Sequence, residues 1–260
     1  MALTSAILFK GLVAALIVGF VTASIKSWVD RVFLVIMLVG IVGIPITSAI
    51  VVNLGVVALA ALLMVFRQRK MLRRSIPGGS AEWYLVVIPA VVGGIGGRLL
   101  SVWLTPAFLI GALGVYAVLV GLRILVIKPL PERETKAHPA WMAPVSLGSG
   151  LLTGILSAGG KPFVVPLYNN AMGHHPQRAY AFASIGVVSA AFGGFVTQCV
   201  ALGAPTGAEL LLAVYEFALV TIVAMLVNKF WTERLNKIVN LIIAPILIVV
   251  GIRFIMMALA

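Results

Sequence analysis

The residues best suited to chemistry are charged side chains that interrupt long apolar runs. Lys161 follows Gly159 and Gly160 between two apolar stretches, and Asp30 interrupts the apolar N-terminal part of the chain. Charge in an apolar environment is costly unless it is paired or hydrated, so each such residue needs a partner or a function. The ammonium of Lys161 would supply a point charge to an oxyanion. In the alternative, Lys161 pairs with an internal acid, for which Asp30 is a candidate, and never contacts a ligand.

Two further ionisable residues lie within apolar segments. Glu216 is near the middle of its segment, where a carboxyl group could exchange a proton; alternatively it is a structural partner of Lys161 or Arg98. Arg98 follows the run Gly93-Gly94-Ile95-Gly96-Gly97, whose glycines would let another helix approach closely. A side chain that snorkels to the outer end of the segment is the favoured explanation of this arginine. No strand precedes the glycines, so they do not predict a nucleotide site.

Polar residues beside the interruptions complete the candidate binding set. Asn53 and Ser184 occupy matching early positions in two apolar segments, where they could donate hydrogen bonds to anion oxygens or, equally well, join neighbouring helices. The interruption in the first half adds Ser27 and Trp28 to the binding candidates, and Lys26 to the candidates for coupling or a charge pair. The indole of Trp28 could gate a site there, although packing is its default role.

Composition places these residues in a membrane. The chain has 260 residues, of which 62% are hydrophobic and only 10% charged, and its mean hydropathy is +1.17. Apolar runs recur along the whole length, which in a water-soluble protein would leave no polar surface. The sequence therefore predicts an all-α integral membrane protein in contact with the lipid bilayer.

The net charge of +12 does not indicate a nucleic-acid partner. The basic residues cluster beside apolar segments, as the positive-inside rule expects of cytoplasmic loops. Cys199 is the only cysteine, so neither an intramolecular disulfide nor a cysteine metal site is predicted. His174 and His175 lack further ligands and are interpreted as a solvated turn rather than a metal site. No cofactor, metal or catalytic set is expected.

The apolar runs predict five segments in each half of the chain. In the first half they cover about 7–24, 32–42, 46–66, 83–103 and 107–126. In the second half the stretch 152–166, LTGILSAGGKPFVVP, divides two short runs that begin near Pro144 and at Phe163. Neither run reaches the roughly 20 residues that a spanning helix needs, which predicts two half-helices meeting at a glycine-rich tip. Segments at about 179–202, 210–227 and 238–257 follow.

The two halves read as an internal duplication. Matching features recur at a separation of about half the chain: Pro45 with Pro176, Asn53 with Ser184, and Gly121-Leu122-Arg123 with Gly251-Ile252-Arg253. We therefore predict a first transmembrane repeat at 1–127, a cytoplasmic linker at 128–142 and a second repeat at 143–260.

Loop charge predicts the topology. The basic loop 67–74, the linker and the loop holding Lys229 and Arg234 should be cytoplasmic, and both termini should face outside. This arrangement requires each broken segment to be a re-entrant hairpin or, less favoured, two crossings. Each repeat is then a hairpin plus three spans, so the halves are inverted. The hairpin tips, 26–31 and 159–162, would meet near the midplane, where half-helix N-termini would attract an anion.

The run 150–166, followed by Gly173-His174-His175-Pro176-Gln177-Arg178-Ala179 and Ser184, resembles the repeat motif of the sulfite exporter TauE/SafE family. The resemblance covers essentially the whole chain. It implies a transporter fold and export of sulfite, sulfonates or related small anions across a cell inner membrane. Two positions depart from the pattern: Lys161 stands where the family usually has another glycine, and Ser27-Trp28-Val29-Asp30 replaces the first glycine cluster.

The sequence thus predicts a transporter that exports sulfite or an organosulfonate such as sulfoacetate by alternating access. The alternative is a secondary transporter of the same architecture for another small anion, a carboxylate or a thiosulfate-like compound, working in uptake. A membrane enzyme is disfavoured because no His-Glu-x-x-His motif and no Ser/His/Asp set on adjacent spans is present. The oligomeric state is left open.

Overall fold

The computed structural model describes residues 3–24, 32–67, 82–126 and 138–260, and within these ranges the secondary structure is helical without a strand. In the first half, the helices are α1 Ser5–Ser24, α2 Val32–Met37, α3 Ile46–Arg67, α4 Glu82–Ser101 and α5 Pro106–Val126. In the second half they are α6 Met142–Leu156, α7 Lys161–Pro166, α8 Pro176–Ala201, α9 Gly207–Asn228 and α10 Glu233–Leu259. A 3₁₀ turn, Pro139–Trp141, precedes α6.

The protein is a multi-pass membrane protein. Within the described ranges, seven helices are long and apolar enough by length and composition to cross a bilayer. They include α1, α4, α5, α8, α9 and most of α10, whose outer faces expose large apolar side chains such as those of Leu211 and Leu241. Such faces suit lipid rather than water. The all-α membrane fold predicted from composition is confirmed.

The broken segment differs from the prediction in one respect. Helical structure begins before Pro144, so the 3₁₀ turn and α6 together form an 18-residue piece, Pro139–Leu156, that is itself one of the seven candidate spans. The short return piece was predicted correctly, because α7 and the π-helical turn Leu167–Ala171 end before Pro176. That α6 and α7 form a re-entrant hairpin, rather than two crossings, remains a prediction.

The return pieces of the two halves share their local structure. α2 continues into the π-helical turn Leu38–Val42 as α7 continues into Leu167–Ala171. Each turn is followed by a glycine with positive φ, Gly43 at 78° and Gly173 at 72°. Glycine adopts this left-handed conformation without steric cost, which allows the chain to leave the π turn sharply before α3 or α8 begins.

Helix pairing between the halves is reciprocal. α4 of the first half packs on α6 of the second, and α9 of the second packs on α1 of the first. The contacts correspond in detail, since a Cβ on Gly150 would overlap the carbonyl oxygen of Ala90, and one on Gly19 would lie 3.1 Å from the carbonyl oxygen of Val220. The two contacts occupy equivalent places, because about half the chain separates Gly19 from Gly150 and also Ala90 from Val220.

The helix directions are compatible with inverted halves. α5 and α10 pack antiparallel, because a Cβ on Gly111 would lie 3.1 Å from the Cβ of Ala258 whereas one on Gly121 would lie 2.8 Å from the carbonyl oxygen of Ala244. If a two-fold axis exchanges these two helices, antiparallel packing requires the axis to be perpendicular to them, as in an inverted repeat. The division into two repeats and a linker stays a prediction, and most of the linker lies outside the described residues.

Glycines bring α4 into backbone contact with two helices. A Cβ on Gly97 would overlap the carbonyl oxygen of Leu151 in α6, and one on Gly94 would overlap that of Ala190 in α8. Small residues are the means by which membrane helices approach closely, because lipid provides no hydrophobic drive for their association. The α4–α6–α8 unit therefore forms a rigid support for the break that follows α6.

Candidate functional site

The break between α6 and α7 consists of Ser157, Ala158, Gly159 and Gly160, and all four residues are buried. α6 ends where Ser157 adopts a left-handed conformation at φ 54°, and Gly159 follows at φ 71°. The Ser157 N–H donates to the Thr153 carbonyl at 2.8 Å. The break falls slightly earlier than the predicted tip 159–162, so that Lys161 and Pro162 form the first turn of α7.

Asn53 of α3 fixes the break from outside the hairpin. Its Nδ2 donates to the carbonyl oxygen of Ser157 at 2.6 Å and lies 3.1 Å from the Ser157 hydroxyl. Asn53 is fully buried, and its Oδ1 has no hydrogen-bond partner within the described ranges. Both amide hydrogens are therefore directed at Ser157, and a polar acceptor remains beside the break.

Tyr116 of α5 contacts the break from another side. Its hydroxyl donates to the carbonyl oxygen of Gly159, and its ring packs edge-on against Phe163 of α7. These bonds satisfy carbonyl groups that the interrupted helix leaves without a helical donor. Side chains from α3 and α5 thus donate hydrogen bonds to the backbone carbonyls of the break. Irregular backbone at membrane depth requires such partners.

Lys161 begins α7 and is buried, with 3% of its surface exposed. Its Nζ lies 3.5 Å from the centroid of the Tyr180 ring in α8, a cation–π contact. The face of the aromatic ring attracts the ammonium and so helps to stabilise the charge of this buried lysine. Lys161 therefore lies in the first turn of α7, directly after the break.

The hairpin encloses a row of hydroxyl groups on α6. Ser146, Ser149 and Thr153 are buried, and the Ser146 hydroxyl is hydrogen-bonded to the Tyr168 hydroxyl at 2.7 Å. A Cβ on Gly160 would overlap the Ser149 Oγ, so that hydroxyl lies directly against the break. Ser149 and Lys161 therefore offer a hydroxyl donor and a cation on the two facing pieces of the hairpin.

Ser184 is buried in α8, where its hydroxyl donates to the carbonyl oxygen of Tyr180 at 2.7 Å. The Ser184 hydroxyl thus donates its proton within α8, to the backbone of Tyr180, whose ring contacts Lys161. It makes no described contact with the break. The remaining candidates of the first half, Lys26, Ser27, Trp28 and Asp30, lie outside the described residues. The predicted approach of the two tips and the Asp30–Lys161 pair stay predictions.

The interpretation of Arg98 as a snorkelling side chain is wrong. Its side chain is buried, with Nε donating to Gln198 Oε1 at 2.8 Å, a terminal nitrogen donating to the same oxygen, and Nη1 donating to the Ser101 hydroxyl at 2.9 Å. Gln198 in turn donates to the Gly203 carbonyl at 2.9 Å. The hydrogen bonds to Gln198 of α8 hold the guanidinium of Arg98 inside the bundle.

Glu216 of α9 is fully buried, and neither carboxyl oxygen has a hydrogen-bond partner within the described ranges. An ion pair between helices joins Arg178 and Glu82 instead, at 2.6 Å. The alternative that Glu216 is a structural partner of Lys161 or Arg98 therefore does not hold. The structure places Glu216 against α1, where a Cβ on Gly11 would lie 2.7 Å from its Oε1.

His174 also departs from its interpretation as solvated, because it is buried between Tyr168 and Phe182. His175 remains exposed and caps α8, where its Nδ1 accepts from the Gln177 N–H at 3.3 Å. Within the described part of the chain, no three His, Cys, Asp or Glu side chains are grouped as metal ligands.

Sequence reasoning did not identify three residues that the structure places at the site: Tyr116, Ser149 and Tyr180. Their distances to the break along the chain differ widely, and isolated tyrosines in apolar runs resemble interface aromatics. A signal existed only for Ser149, since Ser146, Ser149 and Thr153 recur at the three- and four-residue spacing of one helix face.

A helical membrane bundle with a buried helix break, a cation in the first turn after it and polar side chains converging from other helices has the architecture of a membrane transporter. The family model for sulfite exporter TauE/SafE matches residues 12–254, nearly the whole length. The chain belongs to the sulfite exporter TauE/SafE family, whose members transport sulfur-containing anions such as sulfite. No curated protein and no solved structure is significantly similar to it.

Proposed function

We propose that the protein exports sulfite or an organosulfonate such as sulfoacetate by alternating access, and that the anion binds at the break between α6 and α7. The observation that carries this assignment is the buried ammonium of Lys161, which contacts the Tyr180 ring directly after a backbone break. A sulfonate or sulfite group would accept from this ammonium and from the Ser149 hydroxyl beside Gly160.

The other polar residues of the site have positioning roles. Asn53 binds Ser157 and Tyr116 binds Gly159, so α3 and α5 set the shape of the break instead of competing for the anion. Because Asn53 lies in the first half and the break in the second, any rocking of one half against the other acts directly on the binding residues. This connection is the physical basis for alternating access here.

Export agrees with the electrical driving force. For an inside-negative cell membrane, each net negative charge that leaves gains roughly 2.3 kcal/mol per 100 mV. Outward movement of the anion therefore needs no additional energy source, whereas uptake would need one. We assign the protein to a cell inner membrane, with basic loops cytoplasmic and both termini outside.

Transport by purified protein in liposomes tests the substrate. Vesicles loaded with labelled sulfite should lose it faster than protein-free vesicles, and unlabelled sulfoacetate should compete at a lower concentration than malonate or thiosulfate. Preferential competition by malonate or thiosulfate would assign the site to the alternative cargo. No protein-dependent flux of any of these anions would contradict the proposed function.

Cysteine labelling tests the orientation. In a Cys199→Ser background, Ala204→Cys should react with an impermeant maleimide added outside intact cells, because the α8–α9 loop is predicted to face outward. Lys229→Cys should react only after the cells are opened. The reverse pattern would invert the assigned topology.

A further inference from the structure

The α1–α9 contact contains a carboxyl group with no evident structural use. Glu216 has no exposed surface, and neither of its oxygens accepts a hydrogen bond within the described ranges. Buried polar groups are almost always hydrogen-bonded, and a buried ionised carboxylate without a partner is among the most costly groups a protein can hold. Such a group calls for a ligand that neutralises it.

The helix opposite leaves room for this carboxyl. A Cβ on Gly11 of α1 would lie 2.7 Å from Glu216 Oε1, so only glycine lets α1 approach at this level without displacing the carboxyl. The neighbouring Tyr215 does not serve Glu216, because its hydroxyl donates to the carbonyl oxygen of Leu8 at 3.0 Å. Gly11 and Glu216 thus fit together without a hydrogen bond between them.

The equivalent contact in the other half shows that the fold does not require a carboxyl here. The separation of about half the chain that matches Gly19 with Gly150 also matches Gly11 with Met142 and Glu216 with Val86. Met142 and Val86 are fully buried and belong to one apolar cluster, which also includes residues of α7 and α8. An apolar pair therefore fills this position in one half, and a carboxyl facing glycine fills it in the other.

No charged group of the surrounding helices accounts for Glu216. On α1 the nearest basic residue in the chain is Lys10, whose side chain is exposed, and α3 carries no charged residue before Arg67. On α9 itself, Glu209 is engaged with Thr206 in the helix cap. A metal cation would require several oxygen ligands, and none besides the carboxyl is placed there by the described contacts. A proton needs no further ligand.

We infer that Glu216 is a proton-binding site and that its protonation and deprotonation are coupled to anion transport. The inference rests on the proposed function. A proton taken up on one side neutralises the buried carboxylate, and its release on the other side requires the α1–α9 contact to open to water. Coupling thus links a movement of α1 against α9 to the anion site at the α6–α7 break.

The test uses liposomes and an alkyl sulfonate, which stays ionised near neutral pH, so that pH acts on the protein alone. With the membrane potential clamped, a pH gradient should drive sulfonate accumulation by the unaltered protein in one of the two gradient directions. Glu216→Gln should lose that accumulation while retaining sulfonate exchange at symmetrical pH. Glu209→Gln, the same replacement on the same helix, should behave as the unaltered protein.

Two results overturn the inference: pH-driven accumulation that persists in Glu216→Gln, or no effect of either gradient on the unaltered protein while exchange proceeds. Absence of exchange itself contradicts the proposed function instead. Infrared spectroscopy provides a readout independent of transport. The unaltered protein should show a protonated-carboxyl C=O band that Glu216→Gln lacks and Glu209→Gln retains; identical bands in unaltered and Glu216→Gln protein would overturn proton binding at Glu216.

Discussion

Replacing Lys161 by methionine removes the charge of the proposed anion site while nearly preserving side-chain volume. Lys161 is 3% exposed, so its contact with a bound oxyanion is shielded from water. A hydrogen bond to a charged group in proteins is worth about 1.5–3 kcal/mol. At about 1.4 kcal/mol for each factor of ten, the anion affinity of Lys161→Met should fall by roughly 10- to 150-fold.

The assay is the concentration dependence of labelled sulfite exchange in liposomes, with KM and maximal rate determined separately. Lys161→Arg keeps the charge and can stack on the Tyr180 ring, but its larger planar guanidinium would reach the anion with a different geometry, so it should recover only part of the affinity. Lys229→Met removes an exposed lysine at the end of α9 and should leave KM unchanged. If Lys161→Met exchanged sulfite with unaltered KM, the anion would not contact Lys161.

Two further substitutions test the packing around the break. Gly94→Ala places a methyl group onto the backbone carbonyl oxygen of Ala190, which cannot move aside, so it should lower the stability by about 1–3 kcal/mol and lower Tm. The control, Gly148→Ala, adds a methyl group with no atom within 4 Å and should leave Tm unchanged. Equal Tm values would contradict the close α4–α8 approach. Tyr116→Phe leaves the Gly159 carbonyl without its side-chain donor, so we expect about 1–3 kcal/mol lower stability and slower sulfite exchange. Unchanged stability and rate would show that this bond does not support the break.

Most of the fold could be predicted from the sequence because a bilayer permits few solutions. Backbone polar groups must be satisfied internally, so each long apolar run becomes a helix, and the predicted segments at 46–66 and 107–126 correspond closely to α3 and α5. The start of α10 was placed too late, at 238, because the helix extends through polar residues from Glu233 that hydropathy does not detect.

The partners of the site residues could not be predicted in the same way. The sequence placed Asn53 near a tip, but only the structure shows its amide bound to Ser157, a residue about a hundred positions away in the chain. Arg98 was assigned to the lipid interface because hydropathy cannot show that Gln198 comes within hydrogen-bond distance. Pairing of distant side chains depends on helix packing, which apolar periodicity does not encode.

A structure with bound selenite would show directly whether the anion binds at the α6–α7 break. Selenite is an oxyanion shaped like sulfite, and its selenium gives an anomalous signal that locates it without ambiguity. We expect a selenium peak beside the α6–α7 break, with an oxygen within hydrogen-bond distance of Lys161 Nζ, and the loss of this peak in Lys161→Met. A peak confined to the membrane surface, or one beside the break that persists in Lys161→Met, would contradict this expectation.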